Sequence, residues 1–115
     1  MKNIEITPAA YKDLEGLKMY LTENFDGDVA TKELKQIFKD LRRLAKYPDT
    51  DIKLFERFGI TTDYKCILTQ KNYAFYRIEG DSIKVIRILD NRRDFLYILL
   101  GIHMSSDESE GYWDE

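Results

Sequence analysis

Apolar residues recur along the first half of the chain at helical spacing. Asn3 to Ile6 alternates like a short strand, and Thr7-Pro8 then opens a helix, since Thr caps well and Pro suits the first turn. Ala10, Leu14, Leu17, Leu21 and Phe25 follow at spacings of three and four, which predicts one apolar stripe. Asn24 to Asp28 reads as a turn holding two possible caps, Asp26 and Asp28. A second helix is predicted with Ala30, Leu34, Ile37, Leu41 and Leu44 on one face, and Tyr47-Pro48 stops it. Two such helices across a tight turn predict an antiparallel hairpin lying on a sheet.

The second half changes period. Leu54 to Phe58 is a weak strand candidate, whereas Tyr64 to Thr69, Tyr73 to Ile78 and Ile83 to Leu89 are rich in β-branched and aromatic residues. Gln70-Lys71-Asn72 and Gly80-Asp81 separate these strands at hairpin spacing. Asp90 or Asn91 is expected to cap a short helix from Arg92 to Leu100, ended by Gly101. The order is β-α-α-β-β-β-α. It predicts an α+β fold, a helical hairpin packed on a small, mainly antiparallel curved sheet.

The 115 residues suit one domain, and 43% hydrophobic content supplies a core. No apolar run approaches the roughly 18 residues of a membrane helix, and the opening MKNIEITPAA lacks a signal peptide's apolar stretch. Cys66 is the single cysteine, so an internal disulfide and a multi-cysteine metal motif are both excluded. The expectation is a cytoplasmic protein without a metal or cofactor.

Charge changes the picture more than composition. The formal net charge is −3, yet Ser105 to Glu115 carries Asp107, Glu108, Glu110, Asp114 and Glu115 and no Lys or Arg. Without those five, 16 acids face 18 bases, leaving a body of +2. Residues 1–101 are therefore read as the folded domain and 102–115 as an acidic tail. Tyr112 and Trp113 form an aromatic pair within the acidic strip. They suggest a docking point that folds back on the basic face or meets a neighbouring copy, with a homodimer as one outcome.

Several stretches resemble the RelE/ParE superfamily, the toxins of type II toxin–antitoxin systems. "IEITPAAYKDLEGLKMYL" is similar to the family's opening strand and first helix, and "IFKDLRRLAKYPD" to its second helix running into a proline. "DYKCILTQKNYAFYRIEGDSIKVIRILDNRRDF" is similar to the closing hairpins and terminal helix. Together they cover nearly the whole chain up to Gly101. The resemblance implies a bacterial growth inhibitor, of the kind associated with plasmid stabilisation. A cognate antitoxin would neutralise it by laying a helix or extended segment across it.

The superfamily divides by target. RelE-like members cut messenger RNA on the ribosome without a metal, and ParE-like members act on DNA gyrase. The ending "RILDNRRDF" is more similar to ParE-like chains, and "CILTQ" (Cys66 to Gln70) is neutral where RelE-like chains cluster bases. A gyrase target is thus slightly favoured, with the ribosome-dependent endoribonuclease and a degenerate, non-toxic interaction domain as alternatives. For a nuclease, the resemblance points to Arg87, Arg93, Tyr97 and Lys65 as catalytic residues. For partner binding the candidates are Arg87, Arg92, Arg93, Tyr76, Tyr112 and Trp113. The three arginines are expected to form a cationic rim for a phosphate or a carboxylate.

Bland alternatives stand beside these. Arg87 shares an alternating strand face with Val85 and Leu89 and is able to pack its stem there while pairing with an acid. Arg92 and Arg93 are equally suited to bridging Asp90 and Asp94. Tyr97 fits a core position and Cys66 a buried small hydrophobe, and the basic surface of the second helix, Lys32, Lys35, Lys39, Arg42 and Arg43, fits a solvated face. His103 is either a tail residue or a catalytic one.

Overall fold

The computed structural model describes residues 1–102. Strand β1 spans Asn3–Ile6, and helix α1 spans Pro8–Asn24. Thr7 caps α1, its hydroxyl accepting from the Ala10 amide at 3.2 Å, with Pro8 in the first turn. Helix α2, Gly27–Lys46, starts on Asp26, whose carboxylate accepts from the Val29 amide at 2.8 Å. The predicted hairpin is present, and Ala10, Leu14, Leu21, Ile37, Leu41 and Leu44 are all buried. Phe25 instead lies past the last turn of α1 and is exposed.

Strands β2 (Lys65–Thr69), β3 (Asn72–Glu79) and β4 (Ser82–Asp90) follow, then helix α3 (Phe95–Leu100). The sheet order is β1-β4-β3-β2. Strands β2, β3 and β4 form antiparallel pairs, and β1 lies parallel to β4 on its open side. The β2–β3 turn needs two residues, with Gln70 at φ 56°, so Asn72 already belongs to β3. Gly80, at φ 59°, supplies the left-handed residue of the β3–β4 turn.

Leu54 to Phe58 is not a strand. Phe55–Phe58 forms a single 3₁₀ turn closed by Gly59 at φ 67°. Leu54 and Phe55 are neighbours in sequence and both pack into the same core, whereas strand alternation would send them to opposite faces and a helical turn lets them share one. Helix α3 also begins later than expected. Asp94, not Asp90 or Asn91, caps it by accepting from the Tyr97 amide, so Arg92 and Arg93 sit in the preceding turn.

The sheet is covered on both faces. On β3, Ala74 and Tyr76 pack with α1 and α2, whereas Tyr73 and Phe75 pack with Leu54, Phe55, Cys66, Leu89 and Leu96. Successive residues join different cores, so the hairpin covers one face while the 3₁₀ turn and α3 cover the other. The second core is aromatic: the Phe75 and Phe95 rings stack with centroids 5.5 Å apart, and Phe55 meets Phe95 edge-on at 5.8 Å.

A β-bulge breaks the alternation of β4. Phe75 pairs with Arg87 and Tyr76 with Val85, leaving Ile86 as the extra residue. Val85 and Ile88 therefore join the hairpin core while Leu89 joins the other, so of the face expected for Val85, Arg87 and Leu89, Val85 is turned to the opposite side.

Candidate partner-binding cleft

The bulge re-aims the chain where α1 crosses β4. Arg87 donates from Nε and Nη2 to the two carboxylate oxygens of Asp13, at 2.8 and 2.9 Å. The Ile88 amide donates to the same carboxylate at 2.9 Å. This forked pair is mostly shielded from water, and the Asp13 hydrogen bonds raise the pKa of the guanidinium. Arg87 is thus held in a junction between α1 and β4, as the salt-bridge alternative had it.

Above that junction a cleft of about 640 Å³ opens between α1 and the end of β4. Lys12, Asp13, Gly16, Leu17 and Tyr20 form its helical wall, and Asn72, Ile88, Asp90, Arg92 and Arg93 form the other side. Asp90 accepts from Arg92 Nε and Nη2 at 2.9 and 3.1 Å and from the Arg92 amide at 2.9 Å. Those bonds hold its carboxyl below the ordinary range. Arg92 is nonetheless 84% exposed at its side chain.

The Arg93 guanidinium and the Lys12 ammonium have no hydrogen-bonded or ion-paired partner among the described residues. Arg87 is spent on Asp13 beneath the cleft, so among the lining residues Lys12, Arg92 and Arg93 face Asp90 and a surplus charge of +2 remains. Leu17, Ile88 and the Tyr20 ring supply apolar wall, and nothing lies within 4 Å of a Cβ at Gly16. Such a site suits an anionic group carried on an apolar or aromatic body.

The remaining predicted site residues disperse. Lys65 opens β2 and pairs with Tyr76, which pairs with Val85, whereas the arginine end of the sheet is marked by Thr69, Asn72 and Asp90. Four residues of strand, about 13 Å, separate these levels. Tyr76 is 0% exposed, and its hydroxyl donates to the Pro48 carbonyl at 3.1 Å. It is a core residue, not a partner-binding one, and burial together with Asp51 pushes its phenol pKa up.

Tyr97 lies on α3, half exposed, and does not line the cleft. Cys66 is fully buried, and desolvation drives its thiol pKa up, which removes it as a nucleophile. His103, Tyr112 and Trp113 lie outside the described residues.

Sequence reasoning missed Asp13, Lys12 and Tyr20. A signal existed for Asp13: it falls three residues after Ala10 and four before Leu17, on the flank of the apolar stripe. A second, apolar groove of about 520 Å³ runs along the outer side of the hairpin, lined among others by Tyr11, Met19, Leu34 and Phe38. Among the described residues no helix is long and apolar enough to cross a membrane.

Residues 4–95 match a family model described as the ParE toxin of the type II toxin–antitoxin system parDE. Among solved structures the fold is similar to a chain of the chromosomal ParDE toxin–antitoxin system from P. aeruginosa. The TM-score is 0.61 at 16% identity, covering 78% of this chain and 96% of that one. No curated protein sequence matches the chain significantly.

Proposed function

The chain belongs to the ParE toxin family of type II toxin–antitoxin systems, and from that premise we propose that it arrests growth by gripping DNA gyrase through the Arg92–Arg93 cleft. It acts as a binding protein and performs no covalent chemistry on its target. A cognate antitoxin, inferred by analogy with the ParDE pair, neutralises it.

The observation that carries this reading is the distribution of cations. Metal-free RNA cleavage requires a base for the ribose hydroxyl, cations around the phosphorane and an acid for the leaving oxygen, all at one point. Here Arg87 is occupied by Asp13, and Lys65 sits a strand's length from Arg93. Tyr97 is outside the cleft, and β2 contributes no base beyond Lys65. What the cleft offers is a positively charged, partly apolar docking site, which serves grip and not turnover.

Expression of the chain alone in a bacterial host provides the test. Induction of the DNA-damage response with intact messages is expected. Cleaved messages on undamaged DNA would replace the gyrase reading with the nuclease, and undisturbed growth would replace it with a non-toxic interaction domain.

A further inference from the structure

We infer that the acidic tail, residues 103–115, is an intramolecular occupant of the Lys12–Arg93 cleft, seating Trp113 against its helical wall and its carboxylates on the free cations. This inference rests on the cleft being the target-binding site. It assigns that site a built-in competitor.

Three observations support it. The first is complementarity of charge. Neither Lys12 nor Arg93 makes a side-chain ion pair or hydrogen bond among the described residues, although Arg93 acts on Asp90 through its charge, and the cleft keeps +2. The tail carries five carboxylates and no Lys or Arg, and two of the carboxylates, Asp114 and Glu115, follow Trp113 directly.

The second is shape. The open space above Gly16, between Leu17 and Tyr20, is apolar on its helical side and ringed by cations. An indole flanked by carboxylates suits that combination, with Arg93 free to stack on its face.

The third is reach. Helix α3 runs from its cap Asp94 to Gly101, about 10 Å at the rise of an α-helix, so Arg93 lies within about 14 Å of the point where the tail departs. The eleven residues from Ile102 to Tyr112 span up to about 36 Å. A tether of that length gives a local concentration in the millimolar range, so a weak contact suffices to fill the cleft. The outer hairpin groove lies beyond α1 and shows no comparable charge, since Lys18 there is matched by Glu15 and Glu23.

Trp113 is the single tryptophan in the chain, so its fluorescence reports docking without any target. In the full-length protein the emission is expected to be blue-shifted and protected from acrylamide relative to a Tyr-Trp peptide. Protection should be independent of protein concentration and lost on raising salt to about 0.5 M. Lys12→Glu with Arg93→Glu should expose Trp113 to the level of the free peptide, while circular dichroism verifies the fold.

An indole exposed in the native chain, or protected equally in the charge-reversed variant, overturns the inference. Protection that grows with concentration overturns it in favour of a second copy. Separately, a chain ending at Ser105 should bind purified gyrase more tightly than the full chain. Absence of gyrase binding by either chain counts against the target assignment alone, because the fluorescence result stands without gyrase.

Discussion

Asp13 accepts three hydrogen bonds from β4, two from Arg87 and one from the Ile88 amide. Removing it leaves a shielded guanidinium and a strand amide without partners, so Asp13→Ala should cost about 2 kcal/mol in urea unfolding. Adding Arg87→Met, which keeps the apolar stem, should recover part of that loss. A cost below about 0.5 kcal/mol would show that the pair carries no weight. This junction also makes Arg87→Ala a poor probe of partner binding, because it would act first on stability.

Asp90 behaves differently with pH. Arg92 holds its folded pKa down, so the unfolded chain takes up the proton first. The stabilisation is present above the unfolded value and disappears as pH falls through the folded one. Acid unfolding below about pH 4 should therefore be less steep in Asp90→Asn. An identical acid limb in that variant would contradict the assignment.

At the scale of elements, the bulge at Ile86 organises the sheet's meeting with α1. The Thr7 hydroxyl accepts from Ala10 at the helix start and donates to the Ile86 carbonyl at 3.0 Å. One side chain thus caps α1 and satisfies the bulged strand. Thr7→Ala should cost about 1–2 kcal/mol, and Thr7→Ser should restore most of it, read as unfolding midpoints. If serine is no better than alanine, the methyl group and not the hydroxyl is what matters there. The 3₁₀ turn follows similar logic, since it puts Leu54 and Phe55 together under Phe75 and lets a short segment cover a whole sheet face.

For the whole molecule, the decisive property is where charge is left over. Two of the four cations near the site are answered locally, Arg87 by Asp13 and Arg92 by Asp90. The surplus sits on Lys12 and Arg93. Reversing both should weaken target binding at least about tenfold with the unfolding midpoint unchanged, since neither makes a contact that the fold relies on. Unaltered growth arrest in that variant would remove the cleft from the mechanism. Arg92→Ala is expected to have a smaller effect on binding, because much of its charge is already spent on Asp90.

The helices were legible in the sequence because the forces that make them are local. The apolar stripe of α2 and the Thr7-Pro8 start of α1 depend on residues within a few positions of each other, and both helices stand where the pattern indicated. The hairpins β2–β3 and β3–β4 were legible for the same reason. Pairings between distant residues were not. Only the folded chain decides that β1 runs parallel beside β4, that Ile86 is extruded, and that Arg87 meets a carboxylate 74 positions earlier. Such contacts depend on how two surfaces come together, and a period in the sequence records which face is apolar but not what will press against it.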